Sequence, residues 1–306
     1  MSSATLRVGI DLGGTKISGI VLNTADIVVA HARIATPQDD YAATVQAVVR
    51  LVQALEAHVG SGGLPVGVGH PGTVSPATGR IKNANSTCLN GKPLARDLAA
   101  VLGRPVALAN DANCLAASEL RGGAAQGCSP VFAVILGTGV GGALAVDGRV
   151  VRGVQAIAGE WGHNPLPWAR AEWGEMPGPC CWCGRHGCIE TWLSGTGLAA
   201  DYVRAGGYEV RGEEIVRRAA AGEALAQQAL VRYEDRLARA LAHVINLIDP
   251  EVVVLGGGLS SIAGLYEEVP QRWGEWVFSD TVVTQLVPAR FGDDSGVRGA
   301  AALAAP

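Results

Sequence analysis

Alternating apolar and polar positions open the chain. Leu6, Val8 and Ile10 alternate with Arg7 and Gly9, which is the pattern of a half-buried strand. The letters GGT and a second apolar run, KISGIVLN, come next. The sequence therefore predicts two strands joined by a glycine turn.

The same pattern returns further along the chain. The segment VFAVILGTGVGGALAVDG repeats the order of apolar strand, glycine-threonine turn and apolar strand, which indicates a duplicated domain. Helical spacing follows Asp39 or Asp40, either of which could cap a helix through Leu55. We also expect strands at LPVGVG, PVALAN and VVVL, a helix at ANCLAASEL and a long helix that ends before Pro250. This alternation of strands and helices predicts an α/β fold.

Length and composition narrow the protein class. The 306 residues suit two domains. A formal net charge of −4 leaves no basic excess for phosphate, so we expect no nucleic-acid partner. No apolar run reaches the roughly 18 residues of a membrane span, and the first residues lack a signal-peptide pattern. We therefore expect a cytoplasmic protein with no membrane partner.

The glycine turns are candidate phosphate sites, because backbone amides there can approach an anion closely. Asp11 could hold a magnesium ion or its waters, and Lys16 could add positive charge. An ordinary hairpin with a surface aspartate is the alternative. GTGVGG also matches a dinucleotide fingerprint, but a strand pattern follows it where that fingerprint needs a helix. The sequence favours a nucleotide site made from the turns at residues 13–16, 137–142 and 256–258.

Four of the seven cysteines lie between residues 180 and 188. Cys181, Cys183 and Cys188 follow the spacing C-x-C-G-x-x-G-C, which suits a zinc site completed by one histidine. His163 is the predicted fourth ligand and His186 its competitor; reduced structural cysteines are the alternative. Three thiolates and an imidazole leave no open position, so the zinc should be structural and should fix the loop that carries Glu190.

Several motifs together resemble the ROK family of sugar kinases. They are GIDLGGTK, ANDANC, LGTGVGG, GEWGH, CWCGRHGCIE and VVVLGGG, in the order in which the family has them. The segments KNANSTCLNG and GEWGHNPLPW resemble the bacterial fructokinase, or mannofructokinase, branch. The doublet at Cys180 and the long interval between His163 and Cys181 depart from the family pattern.

The resemblance implies a ribonuclease-H-like domain duplicated into an actin-like sugar kinase, with sugar and ATP meeting in an interdomain cleft. We expect a small domain of residues 1–120 plus 292–306 and a large domain of residues 121–291, with a zinc knuckle at 163–190. Asp111 corresponds to the catalytic base that accepts the proton of the sugar 6-hydroxyl. The other implied sugar ligands are Gly72, Asn85, Asn110, Glu160, His163 and Glu190, with Asp111 also in contact.

The resemblance also assigns the nucleotide contacts. They fall into three sets: Gly9, Asp11, Gly13, Gly14, Thr15 and Lys16; Gly137, Thr138, Gly139, Gly141 and Gly142; and Gly256, Gly257 and Gly258. The implied cofactors are ATP, Mg²⁺ and structural Zn²⁺, and a homodimer is a family expectation.

Other functions stay open at the level of sequence. The predicted fructokinase competes with a glucokinase, a mannokinase and an N-acetylhexosamine kinase, since the same groups grip several hexoses. A ROK-type repressor would need a DNA-binding domain ahead of the first turn, and only eight residues precede Gly9. A sugar-binding protein without kinase activity is the third alternative. The tryptophans at 161, 168, 173, 182 and 192 are expected to pack around the knuckle, and stacking on sugar is the alternative.

Overall fold

The computed structural model describes residues 6–304 of the chain. They form two compact units, the first from the described parts of 1–126, 149–158 and 293–306 and the second from 127–148 and 159–292. The sequence-based boundaries place 121–126 and 149–158 in the larger domain. In the structure both segments belong to the first unit. Among the described residues, no helix is both long enough and apolar enough to cross a membrane.

In the part of the chain that the structure describes, the first unit contains eight strands and four α-helices. Its strands are β1 (Arg7–Leu12), β2 (Lys16–Leu22), β3 (Val28–Ala35), β4 (Val66–His70), β5 (Thr73–Val74), β6 (Ile81–Lys82) and β7 (Val106–Asn110), with β10 (Arg149–Val151) later in the chain. Its helices are α1 (Tyr41–His58), α2 (Leu94–Leu102), α3 (Asp111–Leu120) and α9 (Ser295–Leu303). Of the two segments that the predicted boundaries misplaced, 149–158 contributes β10, which contacts α3.

The second unit is richer in helix. Its strands are β8 (Val131–Leu136), β9 (Val140–Val146), β11 (Val252–Gly256) and β12 (Gln285–Pro288). Its helices are α4 (Glu190–Leu193), α5 (Gly195–Arg204), α6 (Gly212–Ala220), α7 (Ala224–Ile248) and α8 (Leu265–Gln271). Short 3₁₀ helices include Thr87–Leu89 in the first unit and Trp161–His163, Ala171–Trp173, Gly258–Ser261 and Trp273–Glu275 in the second.

The two units repeat one sheet plan. In the first, the strand order is β3-β2-β1-β4-β7, with β1 antiparallel to β2 and parallel to β4. In the second, β9, β8, β11 and β12 lie in that order, with β8 antiparallel to β9 and parallel to β11. Each unit thus begins with a hairpin and continues with parallel strands, which confirms the predicted duplication.

Glycines let helix α9 pack directly on the first sheet. A Cβ on Gly9 would overlap the carbonyl oxygen of Val297, and a Cβ on Gly67 would overlap that of Ala300. Both glycines lie within strands of the sheet. The absence of their side chains therefore brings the helix backbone down onto β1 and β4.

Buried charges fix the segment between His163 and Cys181 onto helix α7. Glu175 is fully buried, and its Oε1 accepts hydrogen bonds from Arg236 Nε at 2.7 Å and Arg239 Nη2 at 2.9 Å. Its Oε2 accepts one from the backbone N–H of Arg170 at 2.7 Å. Both arginines are also buried. Arg236 pairs in addition with Asp201 and Arg239 with Asp235, so Glu175 is the carboxylate that the two buried charges share.

Replacing Glu175 with alanine should lower the free energy of unfolding by about 3–5 kcal/mol, because two buried guanidinium groups lose the carboxylate that they share and keep only one partner each. For a unit of this size the melting temperature should fall by roughly 6–20 °C, which differential scanning calorimetry would measure. Glu172→Ala removes an exposed carboxylate three residues away and should shift the melting temperature by no more than about 2 °C.

The same comparison has a pH signature. Burial alone would raise the pKa of Glu175, but hydrogen bonds from Arg239, the Arg170 backbone and Arg236 lower it below its ordinary 4.5. A depressed folded-state pKa stabilises the protein above the unfolded pKa, and this contribution is lost as pH falls through the folded value. The difference between wild type and Glu175→Ala should be full at neutral pH and shrink below pH 4.5. Equal melting temperatures at neutral pH would contradict the assignment.

Candidate active site and metal centre

The first unit places two aspartates at one edge of its sheet. Asp11 lies on β1 beside Gly69 of β4, and Asp111 directly follows β7. Since β1, β4 and β7 are mutually parallel, their carboxyl ends share an edge, where ligands of open α/β sheets usually bind.

Both carboxyl groups have raised pKa values. Burial, followed by the charge of Asp111, raises the pKa of Asp11 to about 6. Burial also raises the pKa of Asp111, although backbone hydrogen bonds from Ala112 and a contact with Asn110 oppose the shift. A pair of carboxylates that repel each other is a setting in which a divalent cation would relieve the repulsion. The donor set therefore fits magnesium.

Asn110, not Asp111, caps helix α3. The Asn110 side chain accepts a hydrogen bond from the Ala112 N–H at 2.9 Å and donates one to the Gly72 carbonyl at 3.0 Å. Asp111 is the first residue of the helix, and its Oδ1 accepts from the same N–H at 2.8 Å. Capping by Asn110 removes the structural explanation for an aspartate at position 111.

The loops around the first sheet edge carry the remaining predicted ligands of this unit. Gly72 has a φ of +71°, and a Cβ there would meet the Lys82 carbonyl at 2.5 Å, so only glycine suits the position. Asn85 is exposed, and its Oδ1 accepts from the Ser86 N–H at 2.8 Å. The structure thus brings Gly72 to Asn110 and leaves Asn85 on the loop after β6.

The first glycine turn closes the β1–β2 hairpin. The Gly13 N–H donates to the Lys16 carbonyl at 3.0 Å, and Thr36 donates to the Thr15 carbonyl at 3.1 Å. The Lys16 ammonium is half-exposed and lies 3.8 Å from Asp293. Gly9 lies under α9, so the structure gives it a packing role, and its assignment as a nucleotide contact stays a prediction.

The other two glycine turns lie side by side in the second unit. Gly137 donates to the Gly139 carbonyl at 3.0 Å, which closes the β8–β9 turn. Gly257 has a φ of +83°, and a Cβ there would lie 2.6 Å from the Leu136 carbonyl. Strand β9 begins at Val140, within the motif GTGVGG, where a dinucleotide fingerprint needs a helix, which confirms that this motif is not such a fingerprint.

Sequence reasoning missed the start of helix α5 as part of this region. The Gly195 N–H donates to the Gly137 carbonyl at 2.8 Å, and the Thr196 hydroxyl donates to the Thr138 carbonyl at 3.3 Å. Ser194 caps the helix through the Gly197 N–H. The letters SGTG, in which the cap residue Ser194 opens the run, are the signal that could have predicted a helix start there.

The predicted zinc ligands come together. The side-chain donor atoms of His163, Cys181, Cys183 and Cys188 all lie within 4.8 Å of one another. Cys181 Sγ is 3.6 Å from His163 Nδ1, and Cys183 Sγ is 3.6 Å from Cys188 Sγ. A tetrahedral zinc with bonds of about 2.3 Å needs sulfur atoms about 3.8 Å apart. The residues therefore fit a tetrahedral ion, and their thiols are not paired as disulfides.

The fold of the knuckle explains which histidine joins the cluster. His163 ends the 3₁₀ helix Trp161–His163, and Pro165 pairs with Cys188 in an isolated β-bridge. His186 is exposed and pairs instead with Cys180, which is also exposed. Of the two candidate histidines, the geometry selects His163.

Glu190 begins helix α4 directly after the knuckle and reaches the second glycine turn. Its Oε2 accepts a hydrogen bond from the Val140 N–H at 2.9 Å. A Cβ on Gly139 would lie 2.6 Å from the same oxygen, so a side chain at this position would displace the carboxylate from the turn. Glu160 immediately precedes the 3₁₀ helix that carries His163.

The tryptophans divide into two groups. Trp161 and Trp192 are buried, which agrees with the predicted packing role. Trp182 is 59% exposed, and its Nε1–H donates to Glu190 Oε1 at 2.6 Å. Trp182 is therefore only partly packed: its ring meets the His163 imidazole edge to face, and its N–H contacts a candidate sugar ligand.

Comparison with known proteins identifies the family. The ROK family model matches residues 7–306. The N-acetyl-D-glucosamine kinase of Photobacterium profundum is 42% identical over 297 residues, which cover 96% of this chain and 98% of that protein.

Solved structures agree in fold. The ROK hexokinase of Thermus thermophilus superposes with a TM-score of 0.84 and 31% identity over 97% of each chain. A ROK family glucokinase of Streptomyces griseus, crystallised with glucose and AMPPNP, superposes with a TM-score of 0.83 and 27% identity. The match covers 97% of this chain and 98% of that chain. The predicted duplicated α/β fold is thereby confirmed, and the chain belongs to the ROK family.

Proposed function

We propose that this protein is an ATP-dependent kinase that transfers the γ-phosphoryl group to the 6-hydroxyl of N-acetyl-D-glucosamine. The observation that carries the proposal is the 42% identity, over nearly the whole length of both chains, with the Photobacterium profundum N-acetyl-D-glucosamine kinase. The predicted fructokinase is unconfirmed, and this relative favours the N-acetylhexosamine alternative.

Asp111 is the general base of the proposed reaction. A sugar hydroxyl is a weak nucleophile, so a carboxylate within hydrogen-bond reach accepts its proton as the phosphoryl group is transferred. Burial raises the pKa of Asp111, which makes its carboxylate a stronger proton acceptor. Its place at the start of α3, next to a cap supplied by Asn110, supports this role.

The proposal keeps the predicted sugar ligands, which are Asn110, Asn85, the Gly72 loop, Glu160, His163 and Glu190. Amides and carboxylates suit an uncharged sugar, because its hydroxyls both donate and accept hydrogen bonds. Burying such groups makes the enzyme selective, since a sugar that lacks the matching group leaves them unpaired.

The glycine turns would receive the nucleotide. The proposal assigns the phosphates to the turns at residues 13–16, 137–139 and 257, where glycine lets backbone amides approach an anion. Asp11 would hold magnesium, and magnesium bound with ATP would neutralise charge on the phosphates. Alignment and charge neutralisation then supply much of the acceleration.

The metal cluster has a structural part in the proposal. Zinc held by His163, Cys181, Cys183 and Cys188 would have no open position for substrate. It would instead fix the knuckle, and so fix the start of α4 where Glu190 lies two residues after Cys188.

A panel of sugars tests the substrate. The purified protein should show a kcat/KM for N-acetyl-D-glucosamine at least roughly tenfold above those for fructose, mannose and glucose in a coupled ATP-consumption assay, the size of a lost pocket contact. A higher kcat/KM for fructose would restore the fructokinase prediction. A preference for glucose would instead favour the activity named for the Streptomyces griseus neighbour.

Replacing Asp111 with asparagine should lower kcat by at least roughly 10²-fold, the range of general-base catalysis. The amide keeps the side-chain shape but does not accept the proton. Asp280→Asn, at an exposed position, is the control and should keep wild-type kcat. Near-normal turnover in a folded Asp111→Asn protein would remove Asp111 from the catalytic role.

Replacing Cys183 with serine should remove zinc and lower activity together, because one of four ligands is lost and Glu190 loses its support. Elemental analysis of the purified protein gives the metal content, and the sugar assay gives the activity. Cys180→Ser is a matched control, since Cys180 is exposed and lies outside the cluster. Full activity without zinc would refute the structural role of the metal.

A further inference from the structure

Trp182 occupies an unusual position for a large aromatic residue. It lies inside the knuckle, between two zinc-ligand candidates in sequence, yet its side chain is 59% exposed. Its ring meets the imidazole of His163 edge to face, with centroids 4.8 Å apart. Burial of apolar area therefore does not explain a tryptophan here.

The contact between Trp182 and Glu190 is short and involves a charge. The indole N–H donates to Glu190 Oε1 at 2.6 Å, and a hydrogen bond to a carboxylate is stronger than one between neutral groups. The other carboxylate oxygen accepts from the Val140 N–H at 2.9 Å. Each oxygen thus has its own donor, and together the two donors restrict the orientation of the carboxylate.

A fixed carboxylate retains capacity for a ligand. An ionised carboxyl group offers about four lone-pair sites, and the indole and backbone donors use one on each oxygen. Hydroxyl donors can occupy the others. The two N–H groups already restrict the side-chain torsions of Glu190. Sugar binding would therefore cost less conformational entropy at this residue.

We propose that Trp182 is a positioning residue: it holds Glu190 in the orientation that accepts hydrogen bonds from the sugar, and so sets the affinity for the sugar. The inference rests on the proposed function, because it takes Glu190 as a sugar ligand. The inference adds Trp182 as a residue that acts through Glu190. The functional group of Trp182 in this role is its indole N–H and not the bulk of its ring.

The test compares Trp182→Phe with wild type. Phenylalanine keeps an aromatic ring against His163 and removes the N–H. We expect the KM for N-acetyl-D-glucosamine and its calorimetric Kd without ATP to rise about fivefold to tenfold, the effect of one exposed hydrogen bond to a charged group. The kcat, the KM for ATP, the zinc content and the melting temperature should stay close to wild-type values, because Val140 still holds the other oxygen.

Trp168→Phe is the matched control. Trp168 belongs to the same unit, is 44% exposed and contacts Trp276 rather than Glu190. Its KM for the sugar should stay within about twofold of wild type. An equal rise in both variants would show a general effect of losing surface tryptophan and would overturn the proposal.

A double variant separates this inference from the proposed function. If Trp182 acts through Glu190, Trp182→Phe combined with Glu190→Gln should have a sugar Kd no more than about twofold weaker than Glu190→Gln alone. Additive losses, zinc loss in Trp182→Phe, or an unchanged KM would overturn the positioning role. If wild type phosphorylates no hexose, the proposed function itself fails. If wild type is active and Glu190→Gln leaves sugar binding intact, Glu190 is not a sugar ligand and only the positioning role fails.

Discussion

The approach of the Glu190 carboxylate to the backbone of Gly139 and Val140 constrains the second unit. The carboxylate reaches that backbone because residue 139 has no side chain and because the knuckle ends two residues before Glu190. A candidate sugar ligand is therefore tied directly to a candidate phosphate turn. Any shift of the knuckle is transmitted to that turn through one charge-assisted hydrogen bond.

The first unit contains the opposite arrangement, in which charge opposes folding. The raised pKa values of Asp11 and Asp111 mean that the folded state favours their protonated forms. Their ionised forms consequently reduce stability at neutral pH, where catalysis needs them. The packing of α9 over Gly9 and Gly67 lies on the same sheet and supplies compensating burial. Functional sites commonly carry such a stability cost.

Local sequence signals predicted the features that depend on residues close together in the chain. The strand-turn-strand pattern predicted both hairpins, and the spacing of the cysteines together with His163 predicted the metal cluster, because ligands close in sequence need little of the fold to meet. Glu175 was not predictable, since its arginine partners lie 61 and 64 residues away. Trp182 was missed for another reason: tryptophan is usually read as packing, and only the geometry shows its N–H on Glu190.

Glycine motifs illustrate how far a motif determines a role. Gly139 lacks a side chain so that a carboxylate can approach, while Gly142 lacks one because a Cβ would lie 2.6 Å from the Trp161 ring. Gly9 is likewise required by helix α9. These three residues belong to motifs that the family resemblance assigns to the nucleotide, yet their immediate contacts are a glutamate, an indole and a helix backbone. A position that requires glycine therefore indicates that another group lies close to the backbone there. Only the surrounding structure shows which group it is.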